Sequence, residues 1–549
     1  MRSLDYRAVP DAIFCCLRRE CQRRRNFDSG SLSGNAANHA SDTALASLAR
    51  RIQPWSVQRT LSNRQVLLFN AALALQWEAE VRLFIGALLL VVLPVGLAED
   101  SCLGSQPSGA QNAVAIYDPN PTHLWNRLHS VLYIRADVPG TELVPDALDP
   151  PLWGSTRYLL SKPSHERILG VLDEFLQTHG ERLIRDPVKR AILQRDLWAV
   201  FDWTVAREPE RPGEPAYEKE KLELQARLAE VLRRLALTPE EIRALPENYG
   251  QAVASGQFAK QYDPEHRDRP FLPPDLLDPL GPWVAISGQG PSTEPVAVGH
   301  VSTFSRSSFL VFVQLPGGRK ATFDYLRRLW DFPEPWIART DGGDSAYDQT
   351  AENPHLPQFP AGTQVALLRQ MMLFDNHGNL AGTPITESVQ IRVYRNVATA
   401  ATNEGTQFGS AGLIARSGQD FFQVTLSRPL LFAGRAGGLR ATGKEEKEFF
   451  IFNFPGPDED APKQATPLDK YPRVLESCFM CHHTAGINSL NSRGHLLKPY
   501  WLNHEYSGPA VTAVSEHKWW EETQDMSWKQ NRYEWGLLNG YWKTSGELH

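Results

Sequence analysis

The chain has 549 residues, of which 42% are hydrophobic and 22% charged, a composition typical of a globular protein with more than one domain. The formal net charge of −6 excludes a globally basic surface of the kind that binds nucleic acid or anionic membranes. Six cysteines in a chain of this length do not form a disulfide-rich scaffold.

An apolar run near the start of the chain predicts export. Residues 83–95, LFIGALLLVVLPV, are short for a membrane span and typical of the hydrophobic part of a secretory signal, and the small residues that follow predict cleavage after Ala98. Residues 1–98 are therefore expected to be a misassigned extension, with translation starting at Val81, plus the signal. The alternative is a membrane anchor or a cytosolic apolar helix. The exported chain is expected in the bacterial periplasm, with no membrane span after signal removal.

Residues 99–270 carry the apolar periodicity of amphipathic helices. Ser164 is predicted to cap one of these helices, which stops at Gly180. Asp186, which precedes a proline, predicts the start of the next helix, and Thr238 predicts another start in the same way. This part of the chain is expected to be a helical region.

From about residue 283 the apolar period changes to two, which predicts strands and a β-rich region at 271–460. The predicted strands lie in SSFLVFVQ, followed by a Gly-Gly turn, in TQVALLRQMMLF, followed by a turn at 376–378, and in SVQIRVYR, FFQVTLSRPLLF and EFFIFNF. A sandwich or barrel-like sheet is expected. The predicted fold class is α+β multidomain, with a helical N-terminal region, a β-rich middle and a small α-rich C-terminal module at 461–549.

The stretch ESCFMCHHTAGINS places Cys478, Cys481 and His482 in a C-x-x-C-H pattern. Covalent attachment of haem c needs two thiols that reach two vinyl groups on one porphyrin edge, and two intervening residues in a helical turn set that separation. The histidine that follows then serves as proximal ligand to the iron. Because haem c is attached outside the cytoplasm, the motif and the predicted signal agree.

On these residues the chain resembles a c-type cytochrome, from about residue 468 to the end. The resemblance implies haem c held through Cys478 and Cys481, iron bound by His482, and electron transfer to a redox partner protein. In a small cytochrome of this family the motif lies near the N-terminus, whereas here it comes late. No family is recognised for the long exported segment that precedes it.

The ligand on the other face of the iron is left open. Met526 is the first choice, because a soft thioether would raise the reduction potential. The alternatives are the bis-histidine candidates His495, His504 and His517, the strand pair Met371 and Met372, and an open or water-bound iron. Aromatic residues after the motif predict either the walls of a porphyrin pocket or an ordinary core, namely Tyr500, Trp501, Trp519, Trp520, Trp528, Tyr533, Trp535, Tyr541 and Trp542.

Other interpretations of the motif stay open. A zinc-binding module would use Cys478 and Cys481 with two histidines, and a redox dithiol or a structural disulfide would use the cysteines alone. A haem-dependent oxidoreductase with an open iron site is the alternative to electron transfer, so the sequence does not decide whether the protein is an enzyme. Residues 341–348, DGGDSAYD, are a candidate calcium loop.

Overall fold

The computed structural model describes residues 114–134, 146–152, 156–206, 217–286, 295–338, 350–397, 418–447, 473–482, 486–490 and 523–546. Several predicted features lie outside these residues. They are the extension and signal at 1–98, the candidate calcium loop at 341–348, the strand EFFIFNF and the segment from 491 to 522.

The first part of the described chain is helical. Its helices are α1 (Leu124–Tyr133), α2 (Ser164–Gln177), α3 (Pro187–Ala206), α4 (Glu218–Leu235), α5 (Pro239–Arg243) and α6 (Asn248–Ala254). The predicted helical region is confirmed for these ranges.

Two of the predicted helix starts are confirmed by their capping bonds. The Thr238 hydroxyl accepts a hydrogen bond from the Glu241 amide, and the Glu241 carboxylate accepts one from the Thr238 amide. This reciprocal pair satisfies two amides that the first turn of α5 would otherwise leave without partners. At the start of α3, the Asp186 carboxylate accepts a hydrogen bond of 2.8 Å from the Val188 amide.

The bounds of α2 differ from the prediction. Ser164 is the first residue of the helix and does not cap it, because its hydroxyl accepts from the Leu159 amide and donates to the Ser161 carbonyl. The Ser164 hydroxyl is therefore hydrogen-bonded to the preceding turn and does not cap the helix. The helix ends at Gln177, and Gly180 begins a separate 3₁₀ turn.

Within its described ranges, the middle of the chain combines strands with three helices. The strands are β1 (Val284–Ile286), β2 (Ser307–Gln314), β3 (Trp336–Ala338), β4 (Thr350–Glu352), β5 (Thr363–Phe374), β6 (Leu380–Tyr394), β7 (Gln419–Leu426) and β8 (Leu439–Ala441). The helices are α7 (Val298–Thr303), α8 (Gly318–Trp330) and α9 (Arg428–Phe432).

The described strands form one open sheet and one two-stranded ribbon. The sheet is antiparallel and six-stranded, in the order β1-β2-β5-β6-β7-β8, and β3 pairs with β4. This arrangement differs from the expected sandwich or barrel, because helices cover the sheet: α3 packs against β5, and α8 packs against β2. The predicted turn after β2 is present at 316–317, where the Gly318 amide donates to the Leu315 carbonyl at 2.9 Å, and the helix α8 then begins at Gly318.

The β5–β6 hairpin confirms the predicted turn at 376–378. The Asp375 carboxylate accepts hydrogen bonds of 2.9 Å from the amides of His377 and Asn379. Gly378 has φ 82°, a left-handed conformation that favours glycine.

Alternate strand residues supply two hydrophobic clusters on opposite faces of the sheet. The large cluster joins the sheet to the N-terminal helices, with members that include Trp125, Trp198, Leu228, Phe312 and Leu368. The small cluster joins it to α8, with members that include Val311, Val313, Tyr325, Val365 and Ile487. Because both faces are buried, the strands read as nearly continuous apolar runs.

Four further helices follow the sheet: α10 (Val474–Cys481), α11 (Gly486–Leu490), α12 (Gln524–Gln530) and α13 (Tyr533–Gly546). Met526, Trp535 and Leu538 from α12 and α13 belong to the large cluster. The chain is therefore a mixed α+β protein in which the C-terminal helices share a core with the N-terminal ones. The boundaries proposed at 270 and 460 stay predictions. No helix within the described ranges is both long enough and apolar enough to cross a bilayer.

Candidate cofactor site

The C-x-x-C-H motif lies at the end of a helix. Helix α10 begins after Arg473 and ends at His482, whose φ of −116° and ψ of 38° leave the helical region. The His482 amide donates to the Cys478 carbonyl at 3.1 Å, which closes the last turn. Cys478 and Cys481 are three residues apart in this helix. Cys478 is half-buried, and the side chain of Cys481 lies outside the described part of the chain.

The start of α10 is attached to the chain that follows the sheet. Arg473 pairs with Lys447 in an isolated antiparallel bridge, and the Val474 amide donates to the Glu446 carbonyl at 2.8 Å. Glu446 in turn accepts two hydrogen bonds from the Arg440 guanidinium, at 2.8 and 2.9 Å, and Arg440 lies in β8. The motif helix is thus anchored to an edge strand of the main sheet.

The ring of His482 is oriented by the backbone seven residues later. Its Nδ1 lies 2.6 Å from the carbonyl oxygen of Ser489. A carbonyl oxygen only accepts, so Nδ1 must donate, and Nε2 then carries the lone pair. The Ser489 hydroxyl donates back to the His482 carbonyl at 3.2 Å. The bond at Nδ1 holds the imidazole in the tautomer that binds a metal through Nε2, and the bond from the Ser489 hydroxyl joins the two backbone segments.

The segment that contains Ser489 is held by contacts with β6 and with the loop before β5. Ser489 is fully buried, and Arg392 of β6 donates to its hydroxyl at 3.3 Å. The Ile487 amide donates to the Gln358 Oε1 at 2.8 Å, and the Ile487 side chain enters the small cluster. Gly486 has φ 57°, and a Cβ added there would lie 1.9 Å from the same Gln358 oxygen, so this position favours glycine.

A second histidine lies beside the first. The ring centres of His300 and His482 are 6.2 Å apart, and their planes differ by 14°. His300 is on α7 and half-buried, and its ring lies 5.5 Å from that of Phe309 on β2. The sequence offers no local signal for this residue, because it is an isolated histidine far from the motif that only the tertiary fold brings near it.

A buried carboxyl group contacts the same strand residue. The Asp525 carboxylate accepts a hydrogen bond of 2.5 Å from the Phe309 amide. Burial raises the pKa of Asp525 to about 7, although the hydrogen bond from Phe309 acts in the opposite direction. Phe309 therefore contacts His300 through its ring and Asp525 through its backbone amide.

The distal ligands predicted from the sequence lie either in the large cluster or outside the described residues. Met526 is only 4% exposed and lies in the large cluster, as do the fully buried Met371 and Met372 of β5. His495, His504 and His517 lie outside the described residues, so these candidates stay predictions.

The aromatic residues of the C-terminal helices pack into the main core. Trp535 lies 5.9 Å from Trp198 of α3, and Trp542 lies 4.7 Å from Phe374 of β5, between ring centres. Tyr541 makes an edge contact with Phe201 at 6.2 Å, and Tyr533 is exposed. Trp528 packs against the small cluster. Tyr500, Trp501, Trp519 and Trp520 lie outside the described residues.

Comparisons with known proteins found no match among protein-family models, curated proteins or solved structures. Function is therefore inferred from the residues of the site.

The described residues fit haem c on the chemistry of their donors. Cys478 supplies a half-buried thiol on α10, and the Nδ1 proton of His482 is held by the Ser489 carbonyl. The zinc alternative also uses Cys481 and a further histidine. Because the Cys481 side chain is outside the described part, that alternative stays a prediction too.

Proposed function

We propose that this chain is an exported mono-haem c-type cytochrome, which transfers electrons through haem c attached to Cys478 and Cys481 with His482 as the proximal iron ligand. The observation that carries the proposal is the hydrogen bond of 2.6 Å from the His482 Nδ1 to the Ser489 carbonyl. A metal-binding histidine almost always donates its other ring N–H to such an acceptor, because that bond sets the tautomer and makes the ligand more basic.

The rest of the motif supports the same proposal. Cys478 and Cys481 fall within helix α10 with an i, i+3 spacing, and this spacing supports attachment to two vinyl groups of one porphyrin edge. Bound haem would supply a one-electron couple whose potential depends on its axial ligands and its burial. The protein residues orient the imidazole and attach the motif to the sheet.

Location and partner belong to the proposal as well. The apolar run at 83–95 supports export to the periplasm, where haem c is attached. A redox protein is the partner expected for a single haem, and the sequence does not identify that protein. A haem-dependent oxidoreductase and a zinc-binding module are the competing functions.

The proposal is tested by expressing the full chain together with a haem c maturation system and measuring its mass after denaturation. We expect one covalently bound haem and a reduced spectrum with the narrow α band of thioether-linked haem. In the Cys478→Ala/Cys481→Ala variant, the covalent mass increment should be lost.

The His266→Ala variant is the matched control, because His266 is exposed and pairs only locally with Asp263. It should acquire haem as the unmodified protein does. A folded chain that matures without covalent haem would contradict the proposal. Stoichiometric zinc in that chain, measured by elemental analysis, would favour the zinc-binding module. Covalent haem that reacts rapidly with carbon monoxide or peroxide would favour the oxidoreductase.

A further inference from the structure

A fully buried lysine lies between α3 and the C-terminal helices. The Nζ of Lys529 is 2.8 Å from Asp202 Oδ2 and 3.2 Å from Glu534 Oε1. The side chains of these two acids are only 9% and 12% exposed. The Ser305 hydroxyl lies 2.9 Å from the same nitrogen, and the ring centre of Trp198 lies 5.2 Å from it. One amine and two carboxyl groups are therefore held together away from solvent.

The pKa values of the two carboxyl groups are shifted in opposite directions. Burial raises the pKa of Asp202 by more than Lys529 lowers it, and the charge of Glu534 raises it further. Burial by itself also raises the pKa of Glu534, but Lys529 and Arg532 lower that pKa overall. Within the described residues, the buried Oδ1 of Asp202 accepts no hydrogen bond that would favour its ionised form. Asp202 is therefore the neutral acid of the pair, and Glu534 is the carboxylate.

We propose that the Lys529 amine and the Asp202 carboxyl condense into an intramolecular isopeptide bond, with Glu534 as the group that moves the proton. A desolvated lysine is a nucleophile once it loses its proton, and a neutral carboxyl accepts such an attack. Because a carboxyl C–O bond measures about 1.2 Å, Cγ of Asp202 lies within about 4 Å of the lysine nitrogen. This distance is close to the range of about 3–3.5 Å from which bound groups react.

The condensation balances without an oxidant or a reductant. Ionised Glu534 takes a proton from the Lys529 ammonium, which frees the lone pair of Nζ. The nitrogen attacks Cγ of Asp202, and the new N–C bond forms. Glu534 then donates its proton to the hydroxyl of Asp202, so that the C–O bond breaks and water leaves. Glu534 finally removes the extra proton from the amide nitrogen, and the site is uncharged in total before and after the reaction.

The product would join α12 covalently to α3. Lys529 lies 327 residues after Asp202, and the ion pair between them is the state from which the bond forms. A covalent link that closes so long a loop restricts the unfolded chain, as a disulfide does, and therefore stabilises the fold. The alternative is an ion pair that never condenses, and a mass measurement distinguishes the two.

The experiment measures the mass of the purified full chain after denaturation and then maps the link by digestion and fragment analysis. We expect the chain, with any attached haem counted, to be lighter than its sequence by the mass of one water molecule. A peptide containing Asp202 should be joined to one containing Lys529. Lys529→Arg keeps the positive charge but has no amine that can lose its proton, so it should show no water loss and a lower melting temperature. Glu534→Gln should greatly slow the loss of water.

An exposed pair of the same residue types is the matched control. Lys320 Nζ lies 2.6 Å from Asp324 Oδ2, but the two side chains are 88% and 50% exposed. The hydrogen bond with Lys320 lowers the pKa of Asp324, so this carboxyl stays ionised and does not accept the attack. Peptides from this pair should be unlinked in the same digest, and Lys320→Arg should keep the water loss. Far-UV circular dichroism checks that each variant is folded.

Two outcomes would overturn the link. One is a folded, unmodified chain at the full mass of its sequence, and the other is a water loss that the fragments place at another residue. A link that forms equally fast in folded Glu534→Gln would overturn the role of Glu534. The link is independent of the proposed haem, because the two modifications are read from different peptides, so failure of one leaves the other standing.

Discussion

Asp525 shows how one buried side chain next to the candidate site responds to pH. Within the described residues no cation pairs with it, and its hydrogen bond comes from the Phe309 amide. Burial therefore dominates and raises its pKa to about 7. An unfolded aspartate ionises near pH 4, so the folded protein holds an extra proton between about pH 4 and pH 7.

This difference makes stability fall as pH rises through that window. The free energy of unfolding should decrease by about 1.4 kcal/mol per pH unit, or about 4 kcal/mol in all, from the Asp525 contribution alone, and then level off above pH 7. Asp525→Asn keeps an oxygen acceptor for the Phe309 amide and should remove the contribution. Urea unfolding between pH 4.5 and 8 measures it as the difference between the two proteins.

The matched control for this experiment is Asp324→Asn. Asp324 is exposed, and its hydrogen bond with Lys320 lowers the pKa of its carboxyl, so it titrates below the window. The control and the unmodified protein should show the same slope from pH 4.5 to 8. Parallel profiles for Asp525→Asn and the unmodified protein would show that Asp525 is ionised in the folded state throughout.

Short elements show which parts of the fold are readable from sequence. The capping of α5 by Thr238 and of α3 by Asp186 was predictable, because a cap is a contact within four residues of chain. The hairpin turn at 376–378 was predictable for the same reason. The open sheet and the helix α8 were not, because whether a second sheet or a helix covers a strand depends on distant segments.

The candidate site likewise has residues that are recognisable from the sequence and residues that only the fold brings together. Cys478, Cys481 and His482 are recognisable because their chemistry lies within five consecutive residues. The Ser489 carbonyl has no side-chain signature, since any residue could supply it. His300 is brought near the motif only by the packing of α7 on the sheet.

Helix α11 positions the Ser489 carbonyl, and the stability of this helix depends on its first residue, Gly486. Gly486→Ala should destabilise the fold through its φ of 57° and through the clash with Gln358 Oε1. Gln358 would have to move and give up its hydrogen bond to the Ile487 amide. We expect a loss of about 2–4 kcal/mol in the free energy of unfolding, from left-handed strain plus the lost hydrogen bond.

Gly434→Ala separates the two causes. Gly434 has φ 62°, but a Cβ there meets nothing within 4 Å, so only the backbone strain of about 1–2 kcal/mol applies. Denaturant unfolding of both variants gives the difference. Equal losses would show that Gln358 yields without cost and that α11 is not tightly held. In the haem-loaded chain, Gly486→Ala should also shift the reduction potential, whereas Gly434→Ala should not.

At the scale of the whole molecule, a buried ionic network connects the helical part to the sheet in the described residues. Asp149 accepts hydrogen bonds from three arginines: Arg195 of α3 at 2.7 Å, Arg306 at 2.6 Å and Arg369 of β5 at 2.8 Å. Glu387 of β6 joins the same network and pairs with Arg195 and Arg369. Each of these side chains is less than a tenth exposed.

Further pairs connect other segments in the same way. Arg428 of α9 pairs with Asp196 of α3 at 2.8 Å. Lys529 of α12 is fully buried and pairs with Asp202 of α3 at 2.8 Å and with Glu534 at 3.2 Å. The last helices are thus attached to α3 by charge as well as by the large cluster, and the buried cations have carboxylate partners as burial requires.

The central position of Asp149 makes it the decisive residue of the network. Burial by itself raises the pKa of Asp149, but Arg195, Arg369 and Arg306 hold that pKa well below its usual range. Asp149→Asn leaves these buried guanidinium groups with less negative charge, and we expect it to lower the free energy of unfolding by about 3–5 kcal/mol, as breaking a buried pair does. Denaturant unfolding near pH 7 measures the loss.

The surface pair of Arg127 and Glu174 provides the control. Its side chains are 39% and 41% exposed, so Glu174→Gln should change stability by less than about 1 kcal/mol. Acid gives a second readout for Asp149: a carboxyl with a lowered pKa contributes its stability above about pH 4 and loses it as pH falls through the folded pKa. The unmodified protein should therefore lose stability below pH 4 more steeply than Asp149→Asn. Equal acid slopes, with a loss near pH 7 no larger than that of Glu174→Gln, would mean that the two clusters, rather than the network, join the helices to the sheet.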